Sequence, residues 1–194
     1  MILGITGSIG SGKTTAALLF KKAGFELIDA DEVAHDIIKK NSVAYKEIVA
    51  YFGKGILDSR KNIDRKKLGK IVFNEKQKLE KLNSMTHPVI VKRIKNKIDL
   101  MREKKKNVKA IVDAPLLIET GVKNLVDRVA VVQTDMEHAM RRNKKFSRED
   151  IERIMQFQMS LKEKMRHADF VIDNNGTMDD LKKQVNIILE RLKQ

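Results

Sequence analysis

Residues 7–14 read Gly-Ser-Ile-Gly-Ser-Gly-Lys-Thr, which fits the spacing G-x-x-x-x-G-K-[ST]. Three of the chain's 10 glycines, Gly7, Gly10 and Gly12, fall within six residues there. Such a loop curls its backbone N–H groups round phosphate oxygens. That needs dihedrals glycine tolerates, and the helix that follows adds the positive end of its dipole. Read this way, Ser8, Gly10, Ser11, Gly12, Lys13, Thr14 and Thr15 bind a nucleotide. Lys13 reaches the β- and γ-phosphates, and the Thr14 hydroxyl ligates Mg²⁺. The pattern requires a strand before it and a helix after it. Both are present: residues 2–6 are a short apolar run, and residues 14–23 carry a stripe through Ala17, Leu18 and Phe20 before Gly24 stops them. A glycine-rich turn with no ligand is the plainer alternative, and this context argues against it.

A second short strand over residues 26–28 leads into Asp29-Ala30-Asp31, so the chain begins strand, helix, strand, in the manner of a parallel α/β sheet. Residues 32–106 then show no convincing strand. They read as helices over 32–40, 43–51, 65–73, 75–84 and 89–106, with Pro88 suited to a first helical turn. The sheet pattern resumes over 108–112, ending at Asp113, and again over 128–132. Helical patterns return over 136–167, where Ser147 with Asp150 and Ser160 with Glu163 have capping-box spacing. A last strand over 170–172 runs through Asp173-Asn174-Asn175-Gly176 into a helix begun by Thr177 and Asp180.

Composition narrows the remaining classes. The chain has no cysteine, which excludes disulfides and thiolate metal sites, and its four histidines show no ligand spacing. The apolar runs are of strand length, too short to cross a bilayer, and the N-terminus lacks the pattern of a signal peptide. A cytoplasmic protein with no membrane partner is the expectation. The formal charge of +14 is uneven: residues 60–109 hold 18 Lys and Arg against five Asp and Glu, a net +13. Such a segment either keeps helix faces solvated or attracts a polyanion, whether a small molecule or nucleic acid. An aromatic content of 5% with no Trp argues against base stacking on single strands.

Three groups of residues beyond the loop carry chemistry. Asp29 and Asp31 follow the second strand, where α/β sheets place ligands. One of them could accept a proton from an attacking hydroxyl, or could simply cap the next helix. Asp113 ends the third strand in the manner of an acid that holds Mg²⁺, or of a plain strand-ending turn. Arg141, Arg142, Lys144 and Lys145 form a basic cluster where a lid would lie, and one arginine there could steady a γ-phosphate. Asn96-Lys97-Ile98-Asp99 matches a guanine-reading signature, but it falls in a basic helical stretch before the third strand and is read as coincidence.

In order and spacing, the segments GITGSIGSGKTT, DADEVAHDII, FGKGIL, NIDRKKLGKIVF, LNSMTHPVI, VDAPLLIETG and SREDIERIMQFQMSLKEKMRHADFVIDNNG resemble the dephospho-CoA kinases over almost the whole chain. The resemblance implies ATP- and Mg²⁺-dependent transfer of the γ-phosphate to the ribose 3′-hydroxyl of dephospho-CoA, giving CoA and ADP in the last step of CoA synthesis. It implies an α/β, three-layer P-loop NTPase fold with a five-stranded parallel sheet. The nucleotide-binding core would be residues 1–31, 107–135 and 168–194, the helical substrate-binding insertion 32–106, and a small helical lid 136–167.

The same resemblance places the family's catalytic base on Asp31, the substrate lobe on Arg65 and His87, and the adenine of ATP near Asn175. Lys13 stabilises the transferring group, and Thr14 and Asp113 hold the metal. The lid stretch over 140–146 is shorter than usual in the family, so either arginine could meet the γ-phosphate. Arg141 is favoured because it follows the helix that begins after Thr134, with Arg142 then binding nucleotide. A monomer is favoured, with dephospho-CoA as partner and no nucleic acid. The competing readings are another small-metabolite kinase on this core, and a nucleic-acid-binding ATPase using residues 60–109.

Overall fold

The structure, a computed structural model, describes residues 1–142 and 147–192. Five parallel strands form one sheet: β1 (Ile2–Gly7), β2 (Glu26–Asp29), β3 (Ala110–Asp113), β4 (Arg128–Gln133) and β5 (Phe170–Asp173), in the order β2-β3-β1-β4-β5. Their apolar runs are continuous rather than alternating because helices cover both faces of a parallel sheet. All six residues of β1 and all four of β3 are buried. The register pairs Asp29 with Asp113, Ile5 with Asp113, Gly7 with Val132 and Gln133 with Asp173. The carboxyl ends of all five strands therefore share one edge, with the loop after β1 leaving from the middle of it.

The helices are α1 (Lys13–Lys22), α2 (Ala30–Ile37), α3 (Val43–Phe52), α4 (Arg65–Val72), α5 (Lys76–Lys104), α6 (Met136–Arg142), α7 (Arg148–Met155), α8 (Leu161–Met165) and α9 (Met178–Arg191). One sheet face meets α1 and α9 through Leu3, Ile5, Ala17, Phe20, Val132, Leu181 and Val185. On the other face α8 packs on β1 and β4, and Gly4 leaves room for Leu117, whose side chain lies 2.7 Å from where a Cβ would stand. Two of the expected capping boxes form: Ser160 with Glu163 opens α8, and Thr177 with Asp180 opens α9. The third, Ser147 with Asp150, falls on a side chain outside the described residues, as do Lys144 and Lys145.

The chain divides into two compact units, Met1–Asp29 with Lys97–Gln194, and Ala30–Asn96. The second unit holds α2, α3, α4 and the first two-thirds of α5 around Ile48, Ile56, Ile63, Leu68 and Val72. Its only pairing of β type, among the described residues, is an isolated bridge between Leu57 and Ile63. Ser42 caps α3 by accepting from the Tyr45 N–H, and Asp64 caps α4 by accepting from Lys66 and Lys67. The boundaries differ from those expected. Asp31 lies in this helical unit because α2 begins directly after Asp29. The last turns of α5 lie with the sheet, where Lys105 Nζ pairs with Glu26 Oε1 at 2.7 Å.

One expectation is corrected. The helices expected over 75–84 and 89–106 are one helix, α5 (Lys76–Lys104), with Pro88 inside it rather than at a helix start. An internal proline forfeits one backbone hydrogen bond and costs about 3 kcal/mol. Against that, Ile90, Ile94 and Ile98 are buried at helical spacing along α5, and each such burial contributes about 1.5–3 kcal/mol. Asn96 to Asp99 sit inside this helix and not in a loop that follows a strand. Among the described residues no helix is long and apolar enough to cross a membrane.

Candidate active site

The loop between β1 and α1 is fixed by close approach as much as by glycine's freedom. At Gly7 a Cβ would strike the Val132 carbonyl oxygen and come within 2.6 Å of Ser11 Oγ. Gly12, the residue before α1, has φ of 82°, and a Cβ there would overlap the Asn174 amide. Gly10 rests against Ala139 of α6. The Ser11 N–H donates to the Ser8 carbonyl at 3.1 Å. The buried Ser11 hydroxyl has no hydrogen-bond partner among the described residues. No side chain caps α1 and its first turn holds no acid. Its leading N–H groups and dipole are thus left for an anion.

Lys13 and Thr14 open α1 and meet Asp113 at the end of β3. The Thr14 hydroxyl donates to Asp113 Oδ2 at 2.8 Å, and Lys13 Nζ lies 3.8 Å from Asp113 Oδ1. Asp113 is 3% exposed. A buried carboxylate needs such partners. Thr15 is half-buried on α1.

A second cluster forms where β4 and β5 end. Asn174 Nδ2 donates to the Ser11 carbonyl at 2.8 Å, and the Asn174 carbonyl accepts from Arg142 at 2.6 Å. Asn175 turns away from the loop: its amide oxygen accepts from the Asp135 N–H at 2.8 Å and the Thr134 hydroxyl at 3.1 Å. Asp135 in turn accepts from the His138 N–H at 2.8 Å. That bond, with a second to the His138 ring, holds the Asp135 carboxyl below its ordinary range. Arg141 is 75% exposed and lies 3.7 Å from Glu137 on the outer face of α6.

The structure thus brings together Ser11, Gly12, Lys13, Thr14, Asp113, Asn174 and Arg142. Asp31, Arg65 and His87 belong to the helical unit. Asp31 is exposed in the first turn of α2, Arg65 is exposed at the start of α4, and His87 is half-buried on α5.

Comparison with known proteins decides the family. The model of the dephospho-CoA kinase family matches residues 1–180. The chain belongs to this family. It is 43% identical to the dephospho-CoA kinase of Fusobacterium nucleatum over 99% of this chain and 98% of that one. It is 40% identical to the Aquifex aeolicus enzyme, with 98% and 96% covered. A solved dephospho-CoA kinase from Campylobacter jejuni superposes with a TM-score of 0.71 at 31% identity, covering 98% and 96% of the two chains. The chain is a kinase of the P-loop type that phosphorylates dephospho-CoA with ATP, the final step of CoA biosynthesis.

Three features at this edge of the sheet emerge only with the fold. Asn174, rather than Asn175, grips the phosphate loop. Only the reach of 163 positions back to Ser11 tells the two asparagines apart. Asp135 precedes α6 by one residue, and its spacing of three to His138 is a helix-start signal. Lys164 and Glu119 form a buried ion pair at 3.2 Å, which nothing local in the sequence announces.

Proposed function

We propose that the phosphate loop holds ATP with Ser8, Gly10, Ser11, Gly12, Thr14 and Thr15, while Asp31 acts as general base on the ribose 3′-hydroxyl of dephospho-CoA. The 3′-oxygen attacks the γ-phosphorus as its proton passes to the Asp31 carboxylate. The bond from that phosphorus to the β-phosphate oxygen breaks, and ADP leaves. Lys13 neutralises charge on the transferring group. The observation that supports this most is the junction of Lys13 and Thr14 on the buried Asp113, which presents an ammonium, a hydroxyl and a carboxylate at the start of α1.

The same junction fits Mg²⁺. Its donors are hard oxygens, and one carboxylate with one hydroxyl suits an ion that keeps waters and takes substrate phosphates rather than a protein cage. Among the described residues no cluster of three His, Cys, Asp or Glu offers such a cage. Thr14 and Asp113 would hold the ion, which when bound offsets phosphate charge. Arg142, rather than Arg141, is the arginine we assign to the γ-phosphate, because it rests on Asn174 beside the loop while Arg141 pairs with Glu137. Asn175 serves the adenine with its amide nitrogen, since its oxygen is already engaged. Arg65 and His87 grip the acceptor.

In this reading the chain works as a monomer in the cytoplasm, where ATP is available, and needs no nucleic acid. The deciding measurement is steady-state turnover of Asp31→Asn with ATP, Mg²⁺ and dephospho-CoA. Near-normal turnover would remove Asp31 from the role of base.

A further inference from the structure

Among the described residues Lys164 is the one cation whose side chain is shut away from solvent, at 1% exposure. Its ammonium lies 2.6 Å from the Pro115 carbonyl oxygen and 3.2 Å from Glu119 Oε1. Each acceptor is shared. The Pro115 carbonyl also receives the Thr6 hydroxyl at 3.0 Å, and the same Glu119 oxygen receives the Met159 N–H at 3.0 Å. Four stretches of chain meet there: the residue before Gly7, the turn after Asp113, the link between α7 and α8, and α8 itself.

A buried ion pair is a poor way to gain stability, since an apolar side chain of similar volume does as well or better. Its worth lies in geometry that an apolar contact does not define. Pro115 stands two residues after Asp113 and has no N–H, so its carbonyl is its only backbone handle. The neighbouring Ala114 N–H is fixed on the Ile5 carbonyl at 3.0 Å. Lys164 and Thr6 close the same turn from its other side. Burial pushes the Lys164 ammonium below the ordinary lysine range, Glu119 opposes that, and the charge of Lys13 adds to it.

We propose that Lys164 is a positioning residue for phosphoryl transfer: with Thr6 it clamps the Pro115 carbonyl, so that the turn after Asp113 presents that carboxylate to Thr14 and Lys13. The inference rests on the reading that Asp113 serves the transfer. It adds a residue from beyond α7, outside every motif of the phosphate loop, to the machinery that sets the loop's acid.

The test is a double-mutant cycle. Lys164→Met should lower kcat about 10- to 100-fold, the loss expected from a small misplacement. Its KM for dephospho-CoA and its affinity for a fluorescent ADP analogue should stay within about threefold. Combined with Asp113→Asn, it should cost little beyond Asp113→Asn alone, because both act on one carboxylate. Full turnover of Lys164→Met, or losses that multiply in the double variant, would overturn the proposal. Should Lys164→Met fail to fold, Thr6→Val removes the other bond to Pro115 and must show the same kcat loss and the same non-additivity. Its failure to do so sinks the clamp. If Asp113→Asn alone turns over normally, the assignment of Asp113 falls and the clamp with it. An impaired Asp113→Asn beside a normal Lys164→Met removes the clamp only.

Discussion

In the sheet unit, three residues of the phosphate loop meet distant parts of the chain: Ser11 meets Asn174, Thr14 meets Asp113, and Gly7 meets the backbone of β4. In the helical unit, Asp31 and Arg65 stand exposed in the first turns of α2 and α4. The contrast follows from what each must do. A phosphate is recognised by backbone N–H groups, whose directions depend on the whole loop conformation, so any loss of packing is felt. In the proposed reading Asp31 and Arg65 act through a carboxylate and a guanidinium, side-chain groups that can be removed without altering a loop conformation. Damage to the first region should therefore spread to nucleotide binding and stability, while loss of the Asp31 carboxylate should leave nucleotide binding unchanged.

The sharpest way to break that contrast is Lys13→Ala, which should lower kcat by about 10²–10³-fold, as for a lost transition-state donor. A change confined to KM in steady-state kinetics would contradict it. Next is Asp31→Asn, expected to cost about 10²-fold or more in kcat, the range of general-base catalysis. Its ADP-analogue affinity should be unchanged, since the helical unit is assigned no part in gripping phosphate. A large loss of nucleotide affinity would erase the distinction between the units.

Gly12→Ala should do what Asp31→Asn does not. Alanine at a φ of 82° costs about 1–2 kcal/mol in backbone strain alone, and its Cβ also meets Asn174. Both the melting temperature and nucleotide affinity should fall together. Retention of either by calorimetry and titration would mean the loop tolerates a side chain there. The smallest effect should come from Ser42→Ala, which removes the α3 cap and costs about 1 kcal/mol of stability. Its turnover should equal that of the parent chain, and a kcat change would show that the helical unit's packing reaches the chemistry after all.

Much of this is legible in the sequence. The loop, the strand ahead of it and the helix behind it follow from local pattern, as do the starts of α8 and α9, because caps and glycine turns are set by neighbours a few residues apart. Other features could not be read in this way. Pro88 looked like a helix start because proline favours that position, yet the buried stripe of Ile90, Ile94 and Ile98 carries the helix through it. Asn174 and Asn175 are the same residue type side by side, and Arg141 and Arg142 likewise. Which of each pair faces the loop depends on the angle at which β5 and α6 arrive.

The residues alone place a phosphate loop between a strand and a helix, interrupt an α/β pattern with a long basic helical stretch, and assign the chain to its family. These are matters of order and spacing. The fold alone sets Asn174 on Ser11 and Arg142 on Asn174, and brings Lys164 and Thr6 onto the Pro115 carbonyl behind Asp113. The physical reason is range. Backbone recognition of phosphate is encoded within eight consecutive residues, whereas the bracing contacts join positions 32 to 163 apart. Where the chain's distant elements arrive selects which lysine, asparagine or arginine makes them.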